Sequence, residues 1–190
     1  MPVLVCHPAT PCAAITSVTA EARWLPDGRL GFYYVLAGRS SQVRVPALAL
    51  AQADRADELW RHTCCEAFVA GPTEGGYSEF NFSPSGAWAA YRFTAYREGM
   101  RPVAVVADPV IDVRITGDRI ELDAFIGSRS VPLSDEGLHL GLTVVVEDLS
   151  GALSYWGLAH PLPRPDFHHA DGFRFALPAP VSDRQRLGNL

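Results

Sequence analysis

The sequence contains no lysine; all 16 of its basic residues are arginine, set against 21 acidic ones for a net charge of −5. That balance excludes a binder that works by neutralising phosphates, so no nucleic-acid partner is expected. Long apolar runs are missing too. Nothing approaches the roughly 18 residues that a membrane-crossing helix requires, and no membrane partner is expected. The start, Met1 to Pro8, lacks a basic segment, and its apolar stretch, Val3 to Cys6, is too short for a signal peptide. Bulky Val5 also argues against a lipid on Cys6, so a cytoplasmic location is the expectation. Cysteine is sparse: Cys6, Cys12, Cys64 and Cys65, with no C-x-x-C. Cys64 and Cys65 point to opposite faces of a strand and do not easily chelate one ion together, so free thiols are expected and no metal site is assigned. G-x-S-x-G, the P-loop, G-x-G-x-x-G and H-E-x-x-H are all absent, and no catalytic residue is assigned.

What is present is a chain of 190 residues, 48% apolar and 19% charged, long enough for one well-formed core and too apolar to remain disordered. Its dominant period is two. Val18, Ala20, Ala22 and Trp24 alternate with polar residues, Pro26-Asp27-Gly28 turns, and Leu30, Phe32, Tyr34 and Leu36 alternate again. This predicts a β-hairpin. A second hairpin is predicted from Ile111, Val113 and Ile115 through Thr116 to Arg119 and back along Ile120, Leu122, Ala124 and Ile126. Asp112, Arg114, Glu121 and Asp123 form its wet face. The segment 138–147 is apolar enough for a strand buried on both sides. Asp148 to Gly151 reads as a turn into a returning strand that begins at Tyr155 and Trp156. Helix is scarce; Ala47 to Trp60 predicts at most a turn or two. The 15 prolines and 16 glycines suit short strands and tight turns. The fold class predicted is all-β, an antiparallel, jelly-roll-like β-sandwich over residues 15–178, with an N-terminal extension (1–14) and a C-terminal tail (179–190).

Polar residues that interrupt the strand pattern supply the candidate site. In the strand-like run 77–83, Phe80 and Phe82 point one way, while Tyr77, Glu79, Asn81 and Ser83 point the other. If Glu66 lies on a neighbouring strand, one sheet face gathers carboxylates, an amide and a phenol, a set suited to a polyhydroxylated ligand. The same face read as plain solvated exterior is the competing account. Trp60, Trp88, Tyr91 and Tyr96 cluster nearby, serving either as platforms or as core. Arg92 and Arg97 are expected to pair with Glu66 or Glu79. His160, Asp166, His168 and His169 crowd one proline-bounded loop. These histidines allow a metal or haem ligand, although their spacing matches no standard site; loop hydrogen bonding is the plainer account. A Cys–His62 thiolate pair and a Glu66/Glu79 acid–base pair are the remaining catalytic alternatives.

Three stretches, LWRHTCCEAFV, YSEFNFSPSGAWAAYRFTAYR and SYWGLAHPLPRPDFHHADGF, resemble the family 9 carbohydrate-binding module and DOMON superfamily, above all small bacterial DOMON-like proteins. The resemblance implies an antiparallel β-sandwich that binds a sugar or a haem and is not itself catalytic. It implies a small saccharide or related polar ligand. Trp60, Glu66, Glu79 and Asn81 are the carry-over binding candidates, Trp156 a possible second aromatic platform, and His160 and His168 loop candidates. Haem-binding relatives use Met and His as axial ligands; the internal methionine here is Met100. The ligand-binding sandwich is therefore the leading reading. The alternatives are a haem- or metal-binding protein using the loop histidines, and a small glycoside hydrolase. The cofactor and the oligomeric state are left open.

Overall fold

The computed structural model describes residues 1–45, 54–72, 75–103, 107–132 and 135–180. Its chain order is β1 (Val3–Cys6), β2 (Ile15–Trp24), β3 (Leu30–Gly38), β4 (Cys64–Ala70), β5 (Tyr77–Phe82) and β6 (Trp88–Phe93). It continues with β7 (Arg101–Pro102), β8 (Val110–Ile115), β9 (Arg119–Ile126), β10 (Leu138–Glu147), β11 (Leu153–Gly157) and β12 (Phe175–Leu177). Every described strand pairing is antiparallel. The hydrogen-bonded order is β7-β6-β5-β4-β10-β11-β1-β2-β3-β9-β8, a sheet that curls into two facing layers; β12 pairs with β10.

Both predicted hairpins form. Leu25 and Arg29 close the β2–β3 turn, where Gly28 takes a positive φ of 83° and Asp27 accepts from the Arg29 amide. Thr116 and Arg119 close the β8–β9 turn. On its wet face Arg114 pairs with Glu121 at 2.6 Å. At the β10–β11 turn, Asp148 Oδ1 accepts from Ser150 N and Ala152 N, which fixes the reversal.

Alternation decides the core. Ala20 and Ala22 of β2, Phe32 and Leu36 of β3, and Leu122 and Ile126 of β9 face inward from one layer. They meet Ala67 and Val69 of β4, Phe80 and Phe82 of β5, and Leu142 and Val144 of β10 from the other. Tyr34 is fully buried there, and its hydroxyl donates to the Glu66 carbonyl at 2.8 Å, so this core-facing phenol is satisfied.

One expectation is corrected. Residues 1–14 are not an extension ahead of the domain: β1 pairs with β2 through Val3 and Leu4, and with β11 through Val5 and Cys6. The reason is energetic. Four strand residues join the layers, and Leu4, 1% exposed, fills the core between them. The weakly predicted helix at 47–60 falls largely outside the described residues; its end is a single 3₁₀ turn, Leu59–Arg61. The expected tail lies outside them from residue 181 onward.

Candidate functional site

The second layer has two buried faces. On its outer face the pairing sets Glu66 opposite Asn81, Phe68 opposite Glu79, Thr143 opposite Glu66, and Tyr155 opposite Val145. Glu66 and Glu79 therefore sit diagonally across adjacent strands, within side-chain reach. This face is not the solvated exterior: Glu66 is 2% and Glu79 4% exposed. A second aromatic cluster covers it, with Phe68, Tyr77, Tyr91 and Phe93 from the strands and Phe167 and Phe173 from the loop after β11. Gly141 makes that cover possible. A side chain there would meet the Phe173 ring at 2.7 Å, so the bare backbone lets the ring lie on the sheet.

Between sheet and cover lies a cavity of about 630 Å³. Trp60, Glu66, Phe68, Glu79, Phe93 and Tyr155 line it from the strands and the turn before β4. Arg97, Met100, Arg164, Asp166, Phe167 and His168 line it from the loops. Trp60 stands edge-on to Tyr91, with centroids 5.6 Å apart, and Tyr155 edge-on to Phe167 at 5.8 Å.

A hydrogen-bonded clasp holds the loops in place. Arg97 reaches Asp166 through Nη2 (3.0 Å) and Nε (3.3 Å), Tyr96 donates to the same carboxylate, and the His168 amide donates to Oδ1 at 2.9 Å. Burial works to raise Asp166, but hydrogen bonds from Arg97 and Tyr96 hold it below the usual carboxylate range. The Tyr77 oxygen accepts the Arg97 amide at 3.2 Å, which turns its proton toward His168 Nδ1, 2.7 Å away. His168 is thereby set with its proton on Nε2. Burial, with Arg97 nearby, lowers its pKa to about 4, so the ring is neutral. Arg97, in the cavity lining, and Glu58, two residues before Trp60, are the described non-glycine residues with positive φ (56° and 62°), a strain that tends to gather at binding sites.

The expected arginine pairing is thus corrected. Arg97 is spent on Asp166. Arg92 alternates away from Tyr91 and Phe93, and its Nη1 donates to Ser78 Oγ at 3.4 Å. The glutamates instead keep each other company. Burial, then the neighbouring Glu79 charge, pushes Glu66 well above the ordinary carboxyl value, against a hydrogen bond from Thr143 Oγ to its Oε2 at 3.3 Å. Burial pushes Glu79 up to about 7, tempered by Asn81 Nδ2, which donates to Oε1 at 2.7 Å. Glu66 Oε1 is sealed from solvent and has no hydrogen-bond partner among the described residues.

Of the residues singled out in the sequence, Trp60, Glu66, Glu79 and His168 share the cavity, while Asn81 stands behind it and orients Glu79. Trp156 does not reach it. At 5% exposed, it packs into the core between the layers, and its Nε1 donates to Ser154 Oγ. Its neighbour Tyr155 takes the outer face, because the β10 register pairs Tyr155 with Val145 and Trp156 with Val144. His160 is outside the lining: its Nε2 meets the Val5 carbonyl at 2.7 Å and its ring stands edge-on to His7. His169 accepts the Asp171 amide in a local turn. Phe68, Phe93, Tyr155, Phe167 and Asp166 contribute without having been singled out as binding residues. Parity with Glu66 and Glu79 marks the strand residues among them; the loop residues carried no such signal.

Met100 and His168 line the same cavity, but His168 Nδ1 is held by Tyr77 and its Nε2 faces Glu79 Oε2 at 3.9 Å. Nδ1 is thus taken by Tyr77, and Nε2, which makes no hydrogen bond to Glu79 at that distance, is the one ring nitrogen left; the geometry adds no support for a haem. No group of three or more His, Cys, Asp and Glu suited to a metal occurs among the described residues. Burial raises both Cys64 and Cys65, and His62 is bound to Glu147 at 2.7 Å, so no thiolate pair forms.

Fold and cavity together define a pocketed, curled β-sandwich. No family model and no curated protein matches the sequence. Among solved structures, the chain is similar to a candidate carbohydrate-binding protein from Bacteroides uniformis ATCC 8492 (TM-score 0.65, 18% identity, 93% of this chain and 84% of that one). It also aligns with a family 9 carbohydrate-binding module from Caldicellulosiruptor kristjanssonii in complex with glucose (0.45, 13%, 82% and 73%) and with cellotriose (0.48, 14%, 95% and 85%). The likeness to the Bacteroides uniformis structure is one of fold.

Proposed function

We propose that this protein binds a small saccharide in the cavity above β4, β5, β10 and β11, and does not transform it. The observation that supports this most is the joining of aromatic walls (Trp60, Tyr155, Phe167) with buried acids (Glu66, Glu79) around one 630 Å³ space. Sugar rings present apolar C–H faces that lie on aromatic rings, and hydroxyls that donate to carboxylates. A cavity of this size holds one or two pyranose rings. Trp60 reports on its own site, so titration followed by tryptophan fluorescence and calorimetry is the test; glucose and cellotriose are the first probes. Saturable binding is expected, abolished by Trp60→Ala with the melting temperature held within about 5 °C. A folded protein that gives no signal across a broad saccharide panel overturns the reading.

A second reading, a small glycoside hydrolase, is favoured by one observation: Glu66 and Glu79 line the same cavity, and both hold their protons more tightly than ordinary carboxyls. Release of nitrophenol from aryl glycosides, lost in Glu79→Gln, would establish it. No release between about pH 5 and 8 leaves binding alone.

A further inference from the structure

We propose that the saccharide this cavity selects carries an amino group, whose ammonium sits between Glu66 and Glu79. The proposal rests on the saccharide reading above and narrows it to a substrate class.

Three features of the pair lead there. Glu66 Oε1 is a buried acceptor with no donor, although Oε2 of the same carboxyl is served by Thr143. Such an orphan is costly unless a ligand fills it. Glu79 adds a second carboxyl beside it: Asn81 serves Oε1, while Oε2 stands 3.9 Å from His168 Nε2, beyond hydrogen-bond reach. The strand register places both carboxyls diagonally on one face, so a single donor group can meet both.

The protein also withholds its own cations. Arg97 lines the cavity and its charge is felt at Glu79, but its hydrogen bonds are forked onto Asp166; Arg164 is exposed to solvent, where its charge is screened. His168 faces Glu79 as a neutral ring. The other ionisable groups around the pair are uncharged: Cys64 on β4, Tyr77 on β5, Tyr91 on β6 and Tyr155 on β11, each raised by burial. Beneath the sheet, Cys65 and Tyr34 are raised by burial in the same way. The floor of the cavity is thus a pair of acids with no cation in hydrogen-bond contact; the Arg97 charge only tempers Glu79 from a distance.

A hydroxyl supplies one donor and no charge. An ammonium supplies three donors and a positive charge to meet the acids, and it would sit in a cavity lined by the aromatic side chains of Phe68, Phe93 and Trp60. Without ligand, the pair is satisfied by holding a proton. Seating the ammonium displaces that proton to the buffer, so binding and proton release are coupled.

The test compares glucose, 2-amino-2-deoxyglucose and its N-acetyl derivative by calorimetry at pH 7, in two buffers of different ionisation enthalpy. The amino sugar is expected to bind at least about tenfold more tightly than either neutral sugar, with proton release seen for it alone. Glu66→Gln and Glu79→Gln are each expected to bring the amino-to-neutral affinity ratio toward one. The wild-type comparison decides the matter even if a variant fails to fold. Neutral sugars that bind as tightly as the amino sugar overturn this inference and leave the saccharide reading intact. Absence of binding for all three, extended to the broader panel, overturns both.

Discussion

The two faces of the β4–β5–β6–β10 layer are buried alike and built for different ends. The inner face presents Cys65, Ala67, Val69, Phe80, Phe82, Leu142 and Val144, and its neighbouring phenol, Tyr34, is hydrogen-bonded. The outer face presents Glu66, Phe68, Tyr77, Glu79, Asn81 and Thr143, and leaves a buried carboxyl oxygen without a donor in the floor of a cavity. Burial by itself therefore does not distinguish a core from a site. What distinguishes them is whether every polar atom is satisfied and every volume filled.

Substitutions on the two faces should have opposite signs. Phe82→Ala removes a fully buried ring that packs against Phe32 (centroids 5.6 Å apart), and should cost about 3–5 kcal/mol in chemical denaturation. Glu66→Gln, equally buried, should stabilise the empty protein at pH 7.5 by about 1–2 kcal/mol, because it removes a carboxyl that burial and Glu79 disfavour. A loss of stability there as large as that of Phe82→Ala would erase the distinction.

Gly141→Ala tests the cover rather than the floor. The added methyl meets the Phe173 ring, so a cost of about 1–3 kcal/mol is expected, together with weaker ligand binding as the loop lifts. Unchanged affinity would mean that the cover does not shape the cavity.

The smallest effect is in pH. Glu66 and Glu79 bind protons more tightly folded than unfolded, so stability falls as pH rises above the ordinary carboxyl value of 4.5 and through the folded values, about 7 for Glu79. His168 acts in the opposite sense between about 4 and 6.5, where its folded form resists protonation. Below pH 6.5 the single histidine offsets only part of the loss from the two carboxyls. Between pH 6.5 and 8, Glu79 alone should remove roughly 1 kcal/mol, and Glu66 adds to the loss. The double Gln variant should flatten this slope in denaturation followed by fluorescence.

Much of the architecture was legible because it is local. The β2–β3 and β8–β9 hairpins announce themselves through period-two alternation and turn residues such as Gly28 and Gly117. The same alternation separated Glu79 and Asn81 from Phe80 and Phe82. What was not legible depends on distant register. Tyr155 and Trp156 are adjacent, and which of them faces the cavity is set by pairing with β10; the family resemblance pointed to the tryptophan, which lies in the core instead. Arg97 meets Asp166 across 69 positions, and Val5 and Cys6 of β1 meet β11 across some 150, contacts to which no local pattern points.

The most direct measurement is a structure determined with the tightest-binding saccharide present. The account predicts a sugar ring beside Trp60 and Tyr155, with one of its donor groups within about 3 Å of Glu66 Oε1. Sugar density lodged elsewhere on the surface, with only water above Glu66 and Glu79, would contradict it.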